Sequence, residues 1–180
     1  MYPVDQTDLR ILQKLQEPTS KLVTRAELAK RIDSPTHSGH HIAESTLGEH
    51  IKALEDVGII KHYSVELDGE KLGLDFLAYV GVYLDKYTPA DLEIFRTKVR
   101  GYPNVLSCDA VTGSEIDFLL KVATTTRKKF YEVMQVIHAL PGVSHFVTMV
   151  IVDVVKEDTG LPLDHLHNAP LIHHHRNSSA

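Results

Sequence analysis

The sequence has no apolar run near the roughly 20 residues that a membrane span requires, and it has only one cysteine. Its first residues, MYPVDQTDLR, lack the basic start and apolar core of a secretory signal peptide. A single cysteine excludes an intramolecular disulfide and fits a reducing compartment. These absences predict a cytoplasmic protein. Cys108, in the run VLSCDAV, is predicted to be a small buried hydrophobe and not a nucleophile.

An excess of positive charge is also missing. The chain has 19 Lys and Arg against 24 Asp and Glu, which gives a net charge of −5. Residues 1–62 hold 8 cations and 9 anions, and the remainder holds 11 and 15. If the first part binds nucleic acid, it must concentrate its cations on one face and act in several copies, because phosphate neutralisation supplies most of the affinity.

Catalytic signatures are absent from the sequence as well. It contains no nucleophile elbow, Walker loop, dinucleotide-binding glycine fingerprint or zinc-protease motif. We therefore expect no enzymatic activity, no catalytic residues and no cofactor.

Three helices are predicted within the first 62 residues. The first covers about residues 5–16, and the second, in TRAELAKRI, starts at a capping box formed by Thr24 and Glu27. The third covers about residues 45–57 and ends at Gly58; its buried face is predicted to hold Leu47, Ile51 and Leu54. The run IIKHYSVEL then alternates like a strand. Three short helices followed by a strand favour a winged helix-turn-helix whose third helix reads DNA.

The rest of the chain predicts strands and helices in the order βαββαβ. The strands are FLAYVGVYL, VLSCDAVTG, DFLLKVAT and HFVTMVIVDVV, and the helices are TPADLEIFRTKVRG and RKKFYEVMQVIHAL. This is the ferredoxin-like order, with both helices on one face of a four-stranded antiparallel sheet. Because strands this apolar rarely leave one face wet, we expect that face to pack on the sheet of a second copy.

Several segments, in the same order and spacing, resemble the Lrp/AsnC (leucine-responsive, feast/famine) family of transcriptional regulators. They are DQTDLRILQKLQ, ELAKRI, STLGEHIKALEDVGIIKHYSVELDGEKLGLDFLAYVGV, VTGSEIDFLLKV and ALPGVSHFVTMVIV, and they span residues 4–155. The resemblance implies an α+β protein: an N-terminal winged helix-turn-helix followed by a ferredoxin-like βαββαβ effector and oligomerisation domain. It also implies double-stranded DNA as a partner, an amino-acid effector, and homodimers that assemble into tetramers or octamers.

We expect four segments on this basis. They are a DNA-binding domain (1–62), a strand linker (63–75), a ligand-binding and dimerisation domain (76–156) and a flexible His-rich tail (157–180).

Two features depart from the family pattern near the reading helix. The chain inserts about eight residues, SPTHSGHH and its neighbours, where the family has a short turn, and we expect this loop to re-aim the helix or to add a contact with the DNA backbone. The family also tends to place basic residues where this chain has Glu49, His50 and Ala53. Lys52 is the only full cation left in the helix, so we expect weak non-specific DNA affinity unless oligomerisation adds sites.

DNA contacts are expected from the outward side chains of the third helix, because a helix in the major groove reads bases with its N-terminal and outward positions. This predicted DNA-binding set is Ser45, Thr46, Glu49, His50 and Lys52. Hydroxyls can bond phosphates or bases, Lys52 can bond phosphate or guanine, and Glu49 can accept from cytosine. The alternative is that Ser45 only caps the helix and the charges form a solvated face.

The effector site is expected around VTGSEIDFLL. Gly113 lets the backbone approach a small ligand, Ser114 is a supporting donor, and Asp117 can pair with an ammonium group. Thr148 matches the family position whose hydroxyl faces the ligand cleft. The family motif usually has two residues between the Gly and the Asp, whereas this chain has three. The alternative is a hairpin glycine followed by a solvent-facing aspartate.

Histidines concentrate in the inserted loop, at His37, His40 and His41, and in the tail HLHNAPLIHHHRNSSA. Imidazole is a common ligand for zinc, nickel or copper, but the loop has no cysteine and no helix that would fix two histidines. We therefore predict no metal site. The favoured interpretation is a polar surface loop that touches the DNA backbone or nothing, and a pH-sensitive phosphate contact is a further alternative.

Two further functions stay open at the level of sequence. The acidic reading helix and the histidines are compatible with tetrapyrrole decarboxylases of similar architecture. The chain is also compatible with a co-regulator that no longer reads DNA and hetero-oligomerises with a family member that does.

Overall fold

The computed structural model describes residues 3–19, 21–34, 39–113, 115–157 and 160–166. The described residues divide into two compact units: those from 66 to 156 form one, and those up to 65 group with those from 157 to 166 in the other. Among the described residues, no helix combines the length and the apolar character needed to cross a membrane.

The first unit is built on three helices: α1 (Gln6–Gln16), α2 (Arg25–Ala29) and α3 (Glu44–Asp56). The predicted capping box of α2 is confirmed, since Glu27 N donates to Thr24 Oγ1 and Thr24 N donates to Glu27 Oε2. The predicted inner face of α3 is confirmed too, and it packs in one core. The core contains Ile11, Leu28, Ala29, Ile32, Ile42, Leu47, Ile51 and Leu54.

The inserted loop before α3 starts and ends beside the core, at Ile32 and Ile42. Ile42 N donates to Ile32 O at 3.0 Å, Asp33 and His41 form an antiparallel bridge, and Ser34 N donates to His40 O at 2.8 Å. Ile32 and Ile42 are both buried at this closed base. The two ends of the loop are therefore held together beside the core, and both proposed roles of the loop remain predictions. His37 lies outside the described residues.

The predicted strand over IIKHYSVEL is wrong. α3 ends at Asp56, Gly58 has a φ of +76°, and residues 61–68 have no regular secondary structure. Val65 and Leu67 are exposed. Among the described residues, no strand lies between α3 and Phe76 that could pair with residues 61–68. Without a partner strand, this segment has no inter-strand hydrogen bonds to stabilise an extended conformation. The predicted strand linker contains a short 3-10 turn at Glu70–Leu72 instead.

The second unit has the predicted βαββαβ order: β1 (Phe76–Leu84), α4 (Pro89–Arg100), β2 (Val105–Ala110), β3 (Phe118–Thr124), α5 (Arg127–His138) and β4 (Val143–Val150). The four strands pair antiparallel in the order β2-β3-β1-β4. Val80, Val82 and Leu120 are fully buried in the core that they form with α4 and α5. The other face leaves Tyr79, Val147 and Met149 about 40% exposed.

Two details of this unit differ from the sequence prediction. β4 ends at Val150 and not at Val155; Ile151 N still donates to Leu77 O, but Val152 and Val155 are more than 90% exposed.

Cys108 is exposed and not buried, because β2 is an edge strand. Partial desolvation, with the neighbouring Asp109 charge, raises the pKa of its thiol to about 11. The thiol is therefore protonated near neutral pH, which makes it a poor nucleophile.

Residues 35–39 are predicted to be dispensable for folding. Replacing them with Asn-Gly should join Ser34 to His40 through a two-residue hairpin turn and keep the paired base. We expect the melting temperature to change by less than about 4 °C, which corresponds to under about 1 kcal/mol. Thermal unfolding followed by circular dichroism measures this. A loss of more than about 10 °C would mean that the loop itself is part of the core.

Candidate DNA-binding and effector sites

The outward side of α3 forms one wall of an open groove. Ser45, Glu49 and Lys52 are exposed, and they line a depression of about 460 Å³ together with Glu44, Gly48 and Arg25. The opposite side of α3 carries its buried apolar residues. The interpretation of Ser45 as the N-cap is wrong, because α3 begins after Ala43, which makes no side-chain capping bond. Ser45 therefore lies within the first turn and lines the groove, and Thr46 is half-buried.

Arg25 is a groove residue that the sequence reasoning missed. It is the first residue of α2, and its guanidinium lies beside the middle of α3, where a Cβ on Gly48 would be 3.5 Å from Arg25 Nη1. The groove thus carries two cations, Arg25 and Lys52, against two carboxylates, Glu44 and Glu49. No local spacing in the sequence reveals this contact, because it joins two different helices.

His50 does not point outward as predicted. Its Nδ1 lies 2.6 Å from Oδ1 of Asp8 on α1, and the Asp8 side chain is only 1% exposed. The other carboxylate oxygen, Oδ2, accepts from Asp5 N at 3.1 Å. Because an ionised carboxylate can only accept, Nδ1 of His50 carries the hydrogen of this bond. His50 therefore attaches α3 to the start of α1.

Within the part of the chain that the structure describes, Asp5, Asp8 and His50 form a group whose spacing could hold a metal ion. One ligand atom from each lies within 4.8 Å of the others. These groups already satisfy one another and the start of α1, since Asp5 Oδ1 accepts from Thr7 N and Asp8 N, and Asp8 accepts from Asp5 N and His50. We interpret the cluster as a helix cap joined to α3. The histidines named from the sequence as metal candidates are not among its members.

The bond between His50 and Asp8 gives a prediction with a conservative control. His50→Leu leaves a buried carboxylate oxygen unsatisfied and should lower the free energy of unfolding by about 2–3 kcal/mol. His50→Asn places an amide N–H near the position of Nδ1 and should recover at least half of that loss. Urea denaturation of the wild type and the two variants measures it. Equal losses in both variants would show that ring packing, and not the hydrogen bond, matters.

The predicted effector residues occupy two separate places in the second unit. Gly113, exposed with a φ of +90°, and Asp117 lie in the connection between β2 and β3, whereas Thr148 lies on β4 opposite Val80. Asp117 precedes β3 and Thr148 lies on β4, with β1 between these two strands. Two inter-strand spacings across the sheet and three residues along a strand therefore separate them, a distance of roughly 14 Å. One subunit therefore does not bring them together around a single small ligand. Ser114 lies outside the described residues.

The Asp117 carboxylate already has a structural bond. Its Oδ2 accepts from Leu84 N at 2.7 Å, and Asp117 N donates to Val82 O at 3.0 Å. Both bonds tie the connection between β2 and β3 to the end of β1. The residue is half-buried, so the alternative of an aspartate that merely faces solvent does not describe it. A carboxylate accepts several hydrogen bonds, so Asp117 can also accept from a ligand ammonium.

The connection between β2 and β3 folds over the open face of the sheet at Gly81. A Cβ on Gly81 would lie 2.7 Å from Cδ1 and 3.1 Å from Cγ1 of Ile116. Gly81 is buried although it faces away from α4 and α5, because Ile116 covers it. This contact positions the segment that carries Gly113 and Asp117.

Gly81→Ala is predicted to displace Ile116 and the connection between β2 and β3. We expect a loss of about 1–2 kcal/mol in the free energy of unfolding, because the added methyl overpacks the contact. The double variant Gly81→Ala with Ile116→Ala should recover part of this loss, since the second change makes room for the first. Urea denaturation measures both. Additive losses in the double variant would contradict the contact.

Comparison with known proteins identifies the class to which this chain belongs, that of transcriptional regulators. Residues 77–161 match the family description of the Lrp/AsnC ligand-binding domain. A proline dehydrogenase transcriptional activator from Rhizobium radiobacter is 33% identical over 88% of this chain and 94% of its own length. An HTH-type transcriptional regulator from Pyrococcus horikoshii is 29% identical over 89% of this chain and 97% of its own length.

A solved structure shares the fold. The crystal structure of a transcriptional regulator from Neisseria meningitidis in complex with L-Met has a TM-score of 0.78 to this chain at 33% identity, and the match covers 90% of this chain and 98% of that one. The chain belongs to the Lrp/AsnC family of transcriptional regulators. Its relatives are regulators and not enzymes, which confirms the expectation of no enzymatic activity over the decarboxylase alternative.

Proposed function

We propose that this protein is a cytoplasmic, sequence-specific transcriptional regulator that reads double-stranded DNA with α3 and responds to an amino acid. The observation that carries the proposal is that α3 is amphipathic, with one buried apolar face and one exposed polar face, in a member of this family. Its apolar residues hold one side in the core, while Ser45, Glu49 and Lys52 are exposed on the other. Together, α2 and α3 act as the helix-turn-helix.

Each outward residue of α3 has a chemical role in this proposal. Ser45 bonds a phosphate or base edge, Thr46 supports the same contact, and Lys52 bonds phosphate or guanine. Glu49 accepts from a cytosine amino group, which makes it a specificity residue and not an affinity residue. His50 is removed from the reading set and assigned to the position of α3, because it bonds Asp8.

The open face of the sheet supports assembly into dimers. Tyr79, Val147 and Met149 are each about 40% exposed there, and together they form an apolar surface. Packing of this face against a second copy buries it and places two α3 helices in one assembly. Two or more copies multiply the weak contacts of each reading helix, and further association into tetramers or octamers extends the same effect.

The effector is proposed to be an amino acid. The Neisseria meningitidis relative was crystallised with L-Met, and here a carboxylate and a turn glycine lie in the connection between β2 and β3. Asp117 accepts from the ammonium group, and Gly113 and Ser114 are the proposed donors to the ligand carboxylate. Since Thr148 is roughly 14 Å away in the same subunit, we assign it to a site shared between subunits.

The test is fluorescence anisotropy of the full-length protein with the DNA upstream of its own gene, at two salt concentrations and with a panel of amino acids that includes L-methionine. We expect saturable binding that weakens with salt and shifts with one amino acid. Lys52→Gln should weaken DNA binding about tenfold, and it should lower the slope of log affinity against log salt concentration by about 1.

The matched control is Lys14→Gln. Lys14 is on α1 and pairs with Glu17, so this variant removes the same charge outside the groove and should bind like the wild type. Absence of binding at low salt, with the fold intact by circular dichroism, would contradict the proposed function. It would favour the co-regulator alternative, which the two groove carboxylates, Glu44 and Glu49, support. Native mass measurement of mixtures with a family member then tests hetero-oligomers.

A further inference from the structure

The cations of the second unit are concentrated in two acid-free stretches. Residues 94–108 contain three Lys or Arg, residues 118–131 contain four, and neither stretch contains Asp or Glu. Arg96, Lys98 and Arg100 lie toward the C-terminal end of α4, and Arg127, Lys128 and Lys129 form the first turn of α5. In a chain with a net charge of −5, this distribution marks a local excess of positive charge.

The fold brings these two stretches together at one end of the sheet. Asn104 follows α4, and its Nδ2 donates to Ala123 O at 2.9 Å while Ala123 N donates to Asn104 O at 3.0 Å. Ala123 lies on β3, four residues before Arg127. Tyr102 lies near enough to Lys129 to contribute to the raised pKa of that lysine, whose main cause is the hydrogen bond with Glu132. The C-terminal end of α4 therefore lies beside the N-terminal end of α5.

Four of the cations at this end are exposed and available. They are Lys98, Arg100, Arg127 and Lys128, and none of them makes an ion pair with a residue that the structure describes. Lys129 differs, since its Nζ lies 3.0 Å from Glu132 Oε2. We call Lys98, Arg100, Arg127 and Lys128 the basic cluster.

We propose that the basic cluster binds the phosphate backbone of DNA, as a second contact surface separate from α3. This inference rests on the proposed function. The groove on α3 has two cations and two carboxylates, so it supplies little net attraction for phosphate. The basic cluster supplies four cations on the unit that carries no reading helix. It gives affinity without sequence preference, because phosphate contacts carry no base information.

The test compares two variants of equal net charge in the full-length protein. The cluster variant is Lys98→Gln, Arg100→Gln, Arg127→Gln and Lys128→Gln. The control variant is Lys14→Gln, Lys21→Gln, Lys71→Gln and Lys86→Gln, which removes four surface lysines outside the cluster and outside α3. Anisotropy with a duplex that carries the preferred site, and with an unrelated duplex, is measured from about 50 to about 200 mM salt.

For the cluster variant we expect the slope of log affinity against log salt to fall by about 2–4, because each phosphate contact contributes about 0.9. Binding to both duplexes should weaken about tenfold or more, with the ratio of the two affinities unchanged. The control variant should keep the wild-type slope within about 1. Circular dichroism should show the same melting temperature for all three proteins, since every changed side chain lies at the surface.

Three outcomes would overturn the inference. A cluster variant with the wild-type slope, while the wild type binds DNA, would reject the basic cluster and leave the proposed function intact. An equal fall in both variants would show a general charge effect and no site. A wild type that binds neither duplex at the lowest salt concentration would reject the proposed function and the inference together; binding of anionic phosphatidylserine vesicles by the wild type alone would then assign the cluster to a membrane surface.

Discussion

The helical unit depends on one buried carboxylate, that of Asp8. A charged group whose side chain is 1% exposed is costly to bury unless hydrogen bonds satisfy it, and here Asp5 N and His50 Nδ1 do so. The same group thus closes the capping box of α1 and fixes one side of α3. The apolar stripe of α3 is held by the core. Because the core and the His50 bond together fix the rotation of α3, Ser45 and Lys52 lie on the side of the helix that lines the groove.

Local patterns predicted most of the secondary structure. Thr24 with Glu27 marks a helix start because a capping box lies within four residues and needs no distant partner. In the structure, α4 begins at a box of the same kind, formed by Thr88 and Asp91. The same holds for the strands of the second unit, whose apolar runs are bounded by turn residues and whose βαββαβ order implies the antiparallel sheet. The outward position of Lys52 could be predicted from helical spacing alone, since the apolar stripe defines the opposite face.

The errors concern features that depend on distant residues. His50 bonds Asp8, 42 positions away, and helical spacing places it only near the edge of the apolar face. The run from Ile59 has the alternation of a strand, but alternation does not supply a partner, and it stays irregular. Cys108 lies in an apolar run, yet its strand is at the sheet edge, a position that strand order decides and local composition does not. Arg25 was missed for the same reason, since its neighbour Gly48 belongs to another helix.

The proposed effector site and the sheet share one carboxylate. Asp117 accepts from Leu84 N at the end of β1, and β1 is a central strand that pairs with both β3 and β4. At the proposed site, a ligand ammonium would share this carboxylate with the bond that holds the end of the strand. Because Ile116 rests on Gly81, movement of the connection also reaches the open face that we propose for dimer contact. One short segment thus carries the proposed ligand carboxylate and also covers part of the proposed dimer face, which is the kind of shared element that coupling between two sites requires.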